Sequence, residues 1–312
     1  FKPNIAVIVG DLYKPDDPRK DSAYTIFYMG VNVGALIAPL ITGYLAITYG
    51  YRWGFVAAGL GMMLGQICYN FLSNRFLGDL CKEPALKKDG DGTKEEKDRT
   101  MVIFILVAFC IFFWAGFEQA GSSLTLYTDK YIDRNVLGFV IPTEWFQSVN
   151  PVFIILLAPL FSMFCGFLSK RGKNPSIPIK MAMGMILLGL GFVLMLGAVW
   201  QRGGDDASVL VKANLLWLLG TYLMHTMGEL CLSPIGLSMV SKLSPVRLAS
   251  LMMGVWMLSS FFANITAGFI ASFFVSLGAM SIFAVIAVTS ILLGLFLLAV
   301  SKWLTGKMHG VK

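Results

Sequence analysis

The chain has little charge for its length: 14% of its 312 residues are Asp, Glu, Lys or Arg, against 56% hydrophobic residues, and the mean hydropathy is +0.72. A soluble domain of this composition would carry an aggregating surface, which excludes one and points to a polytopic membrane protein. The five cysteines, Cys68, Cys81, Cys110, Cys165 and Cys231, have no CxxC spacing, and four lie in or at apolar runs. That excludes a disulfide frame and predicts buried free thiols. Histidine is scarcer still. His225 stands one helical turn before Glu229, but His309, the only other histidine, falls in the charged tail, so no metal site is expected. No phosphate loop occurs, and no strand-turn-helix elbow or Ser-His-acid order surrounds Ser122 and Ser123, so an enzyme is not expected. The net charge of +7 sits in short loops between apolar runs, which argues against nucleic acid as a partner. Phe1 is preceded by no methionine or leader pattern, and we expect a chain whose amino-terminal part is missing.

What is present is apolar and periodic in length. Ile5 to Val9 is too short to cross a bilayer and leads into the charged loop Lys14–Asp21, as the end of a half helix would. Segments of about 20 residues, the length a bilayer demands, follow at Ala23–Ile47, Trp53–Leu77, Met101–Tyr127, Trp145–Leu168, Lys180–Val199, Leu215–Val240, Leu248–Phe274 and Met280–Trp303. The glycines at 30, 34, 59, 61, 65, 184, 189 and 191 stand at small-residue spacings and predict close helix packing. Pro234 should bend its helix by removing a backbone hydrogen bond.

The basic residues orient these segments. Nineteen Lys and Arg fall on one side, and five, Arg52, Lys130, Arg134, Arg202 and Lys212, on the other, which makes the richer side cytoplasmic. Lys2 alone is left at membrane depth. Residues 78–100 mix both signs of charge with glycine and no apolar face, and read as a cytoplasmic linker between 1–77, the remainder of one helix bundle, and 101–312, a six-helix bundle with a short cytoplasmic tail. The fold class is all-α, with the six-plus-six layout of the major facilitator transporters in partial form.

Of the eighteen acidic residues, sixteen lie in loops or at span ends, and only Glu118 and Glu229 lie deep in apolar segments. An ionisable side chain at membrane depth costs about 3 kcal/mol on insertion scales and normally faces a cavity or a partner. Two carboxylates and one cation, Lys2, must therefore be solvated by one another or by a watery cavity. A static ion pair that only holds helices together and a transport site are both compatible with this count, and a transport site better explains the carboxylate left over. His225, on one helix face with Glu229, is either a hydrogen-bonded relay or a packing residue.

Six stretches resemble the proton-dependent oligopeptide transporters, the POT or PTR2 family of the major facilitator superfamily. They are Phe1-Lys2-Pro3-Asn4; Phe27-Tyr28-Met29-Gly30-Val31-Asn32-Val33-Gly34; Phe117-Glu118-Gln119 with Gly121-Ser122-Ser123; Trp145 to Pro151; Gly228-Glu229-Leu230-Cys231-Leu232-Ser233-Pro234; and Met253-Gly254-Val255-Trp256. They resemble signatures of the family's spans four, five, seven, eight, ten and eleven, in order, so that the chain would run from half of span four to span twelve.

The resemblance implies symport of di- and tripeptides with protons, driven by the proton gradient without a cofactor. The setting it implies is a monomer spanning the lipid bilayer of a bacterial inner membrane. Lys2 would pair with Glu118 and bind the peptide carboxylate, Glu118 would couple protons, and Glu229 would bind the peptide amino group. Asn32 and Asn150 would be polar contacts and Trp256 an aromatic wall, with Tyr28, Ser122 and His225 as secondary candidates. The family's Glu-x-x-Glu-Arg run of the first span is absent here, and we expect residues 1–312 alone not to transport. Alternatives are transport of nitrate, amino acids or another small solute, and, from other classes, a channel or a membrane-embedded enzyme; no ring-like repeats of pore residues support a channel.

Overall fold

The computed structural model describes residues 5, 8, 9, 12, 19–77, 93–245 and 248–310. Lys2, Cys81 and most of the expected linker lie outside the described residues. Among those described, eight helices are long and apolar enough to cross a membrane, as the sequence predicts. By contact the chain forms two units, one of Phe1–Leu86 with Glu144–Ile155, the other of Lys87–Thr143 with Leu156–Lys312.

In the first unit, α1 (Arg19–Tyr49) and α2 (Tyr51–Phe76) form a helical hairpin turned at Gly50, whose φ of 97° is open to glycine without a Cβ penalty. They cross where Gly54 lets the backbone of Thr42 approach: a Cβ at Gly54 would stand 2.9 Å from the Thr42 carbonyl oxygen. A 3₁₀ turn, Thr143–Ser148, leads into α5 (Val149–Lys170), and the start of this segment returns to the hairpin. Ser148 Oγ donates to Leu36 O at 2.7 Å, Tyr51 OH donates to Glu144 Oε1 at 3.1 Å, and Trp145 lies over Gly43. The sequence reading needs two corrections here. Cys68 is exposed, not buried, because α2 turns apolar side chains outward along its length. Gly30, Gly34, Gly59, Gly61 and Gly65 meet no neighbour that a Cβ would disturb, so close packing does not explain them among the described residues.

In the second unit, α3 (Lys94–Phe117) begins seven residues ahead of Met101, because Thr93 caps it: Thr93 Oγ1 accepts from Glu96 N at 3.3 Å, and Glu95 and Glu96 complement the helix dipole. After a 3₁₀ turn (Glu118–Gly121), α4 (Ser123–Tyr131) completes the span. A short hairpin of β1 (Asn135–Val136) and β2 (Phe139–Val140) follows. The remaining helices are α6 (Ile177–Gln201), α7 (Leu215–Leu243), α8 (Ala249–Ser272) and α9 (Phe274–Lys307), with α7 capped by Asn214. α7 runs on as one helix through Pro234.

The core is the buried stripe Val102, Ile103, Leu106, Cys110 and Phe113 of α3 together with Met181, Met185, Leu188, Phe192 and Met195 of α6, each at helical spacing. Lipid tails are as apolar as leucine, so packing rather than water exclusion must hold such helices together. Small residues supply it. A Cβ on Gly184 would stand 2.8 Å from the Gly228 carbonyl oxygen, and one on Gly228 equally close to that of Gly184, so α6 and α7 meet backbone to backbone. Gly189 and Gly294 do the same where α6 crosses α9.

Both ends of this unit are fastened. At one end, Asp98 at the start of α3 binds Lys307 at 3.1 and 3.2 Å and His309 at 3.0 Å at the end of α9. At the other end, Ile132 and Ala213 form a parallel bridge: Asp133 N donates to Ala213 O at 2.9 Å and Ala213 N to Tyr131 O at 2.8 Å. Arg202, 3% exposed, donates to the carbonyls of Val211, Ala207 and Ser208 and stacks over the Tyr131 ring at 3.9 Å. Asp205 accepts from Met280 N at 2.9 Å, beside Gly278, where α9 kinks with φ 79°.

Candidate functional site

The expected continuous span over Met101–Tyr127 is broken at its charge. α3 stops at Phe117, and Glu118 is the first residue of the 3₁₀ turn that joins it to α4. The local sequence favours this. Gly116 and Gly121 flank the turn, and Gln119, Ser122 and Ser123 carry side chains that compete for backbone groups. Irregular backbone at membrane depth is tolerated where protein or a watery cavity surrounds it. Two carbonyls at the break are met by side chains: Gln119 Nε2 donates to Ala115 O at 3.1 Å, and Thr125 Oγ1 to Ala120 O at 2.7 Å. Glu118 itself is half-buried, and its backbone is fixed in the turn.

Glu229 is also half-buried, on α7. One turn earlier His225, 1% exposed, packs its ring between Phe192 at 4.8 Å and Phe117 at 6.2 Å, the residue preceding Glu118. The space for that ring comes from Gly191, where a Cβ would come within 2.5 Å of it. His225 is thus a packing residue that links the Glu229 helix to the Glu118 turn. Trp256 of α8 is 7% exposed and lies on Gly236 of α7, where any Cβ would collide with the indole. Glu118, Ser122, His225, Glu229 and Trp256 all belong to the second unit, tied by contacts among α3, α7 and α8.

The first unit holds the other candidates. Asn32, 5% exposed, donates through Nδ2 to Tyr28 O at 2.9 Å, which sets both on one face of α1. Asn150 is half-buried in the first turn of α5. Lys2 falls outside the described residues, and with it the expected pair to Glu118. Gln119 is the functional-site neighbour that sequence reasoning passed over. Its only signal was an amide placed directly after a carboxylate at membrane depth.

The comparisons with known proteins agree with one another. The PTR2 model, described as the POT family, matches residues 1–90 and 91–292. An uncharacterized transporter of Bacillus subtilis, YclF, is 34% identical over 100% of this chain and 73% of its own length. The peptide transporter YePEPT of Yersinia enterocolitica is 34% identical over 86% of this chain, which spans 65% of that relative's length. Among solved structures, a peptide transporter POT crystallised as a mutant in complex with alafosfalin superposes with a TM-score of 0.86 at 31% identity, over 99% of this chain and 73% of that one. With a family match along nearly the whole sequence, relatives above 30% identity and the same arrangement of helices, the chain belongs to the POT family of membrane transporters.

Proposed function

We propose that the protein is a symporter of di- and tripeptides with protons, working by alternating access of two helix bundles, 1–77 and 101–312, joined through 78–100. The observation that carries this reading is Glu118: a half-buried carboxylate at a break in a membrane span, next to a saturated hydrogen-bond network, in a chain whose relatives include a peptide transporter and a di-/tripeptide transporter of Lactococcus lactis. A zwitterionic peptide needs a fixed cation and a fixed anion on either side of it. Lys2 takes its carboxylate and Glu229 its amino group; Asn32 and Asn150 add polar contacts, and Trp256 walls the side-chain space. Tyr28 and Ser122 shape the same surroundings, and His225 holds the Glu229 helix in place.

Proton coupling follows from charge at low dielectric. Deprotonated Glu118 holds Lys2, and protonation breaks that pair and frees the lysine for the peptide carboxylate. The protein acts as a monomer in a bacterial inner membrane, a setting supported by the bacterial sources of its relatives. In proteoliposomes containing the complete protein, Glu118→Gln is expected to abolish uptake driven by a pH gradient; normal gradient-driven uptake overturns the role. Competition by di- and tripeptides, and none by nitrate or single amino acids, separates peptide transport from the other solutes.

A further inference from the structure

We propose that Gln119 is the positioning residue for Glu118, and that through it α8 is coupled to the protonation of this carboxylate. The inference rests on the reading of Glu118 as the proton-coupling group. A side-chain amide offers two donors and two acceptor lone pairs, and the Gln119 amide, 0% exposed, uses all four. Nε2 donates to Ala115 O and to Ala267 O, both at 3.1 Å, and Oε1 accepts from Ser123 Oγ at 2.6 Å and Ser122 Oγ at 3.3 Å.

Three of these bonds close the break within its own span; the fourth leaves it and ends on α8. A buried amide must keep its partners or lose about 1–3 kcal/mol for each group left unpaired. The turn therefore cannot rotate without either pulling on α8 or leaving an orphaned amide. Glu118 is the preceding residue in the same turn, so the point and direction at which its side chain leaves the backbone are held by that bond.

What α8 carries makes the coupling consequential. Trp256 precedes Ala267 by three helical turns and so lies on the same face. Its indole occupies the space that Gly236 leaves on α7. Gly236 follows Glu229 by two turns, again on one face. A continuous chain of packed groups thus joins the carboxylate turn to the helix that carries Glu229, which makes it a physical route whose coupling has to be measured.

The test compares Gln119→Leu, which keeps the bulk and removes all four bonds, with Ser123→Ala, which removes one. Both are assayed in proteoliposomes for peptide accumulation under a proton gradient and for peptide counterflow, with KM measured in each. For Gln119→Leu, accumulation should fall by roughly tenfold, the scale of one or two lost buried hydrogen bonds, with counterflow and KM affected far less; Ser123→Ala should fall in the same direction by less. Equal losses of accumulation and counterflow would make Gln119 a packing residue, and unchanged accumulation would remove its role altogether; either overturns the proposal. Failure of the Glu118 reading is seen separately, as normal gradient-driven uptake by Glu118→Gln.

Discussion

At the scale of single residues, an expensive group can be found by elimination but its supports cannot. Glu118 and Glu229 stood out because every other carboxylate could be assigned to a loop or a span end. Gln119 did not, because an uncharged amide leaves no mark in a hydropathy profile and its partner on α8 lies 148 residues away. The same holds for Gly236 and Trp256, whose contact no spacing rule predicts. Asp98 illustrates what a polar residue at a helix end contributes. The His309 hydrogen bond, and then those from Lys307, hold its carboxyl below the usual carboxylate range. A carboxyl depressed in the folded state contributes stability above its unfolded value and loses it as pH falls through the folded one. Asp98→Asn should therefore lower the thermal unfolding midpoint at neutral pH, and the difference from wild type should vanish in acid. A difference that persists below the carboxylate range would rule this account out.

At the scale of elements, the eight spans were legible because length and apolarity are what a bilayer selects. Their interiors were less so. Hydropathy does not distinguish an α turn from a 3₁₀ turn, so Met101–Tyr127 read as one helix even though Gly116, Gly121 and the serines carried a weak signal of the break. The kink in α9 was missed for a related reason: with the last span expected to begin at Met280, Gly278 fell in a loop. Its φ of 79° and the Asp205 carboxylate beside it both demand glycine. Gly278→Ala should destabilise by about 1–3 kcal/mol from a positive-φ, extended backbone open essentially to glycine alone, with a further loss from displacing Asp205, seen as a lower unfolding temperature without a change in the peptides that compete for uptake.

At the scale of the whole molecule, glycine spacing reached part of the packing. Gly184, Gly189 and Gly191 are where the second unit closes, whereas Gly30, Gly34, Gly59, Gly61 and Gly65 of α1 and α2 meet no neighbour among the described residues. The difference is one of burial: α6 has neighbours on several sides, and no spacing rule reports how many neighbours a helix has. Gly184→Leu should push α6 from α7 at their backbone contact, cost at least the roughly 1–3 kcal/mol of an overpacked core, and raise the sensitivity of the purified protein to detergent denaturation. Gly61→Leu, on α2, is the matching control and should change little.

The fastening at the far end of α4 sets a mechanical condition on any movement at the broken span. α4 is an arm of nine residues, about 13 Å at the rise of an α-helix, so a rotation of about 20° at the Glu118 turn displaces its tip by roughly 5 Å. That tip is gripped. Tyr131 lies under the Arg202 guanidinium, its carbonyl accepts from Ala213 N, and the Asp133 amide donates to Ala213 O. A hydrogen bond does not survive a shift of that size. The arm must therefore drag residues 202–214 with it as ballast or slip the grip and leave the Arg202 charge without its aromatic cover. Rotation at the carboxylate is held first by the Gln119 bond to α8, and large rotations are metered again at the far end of the arm.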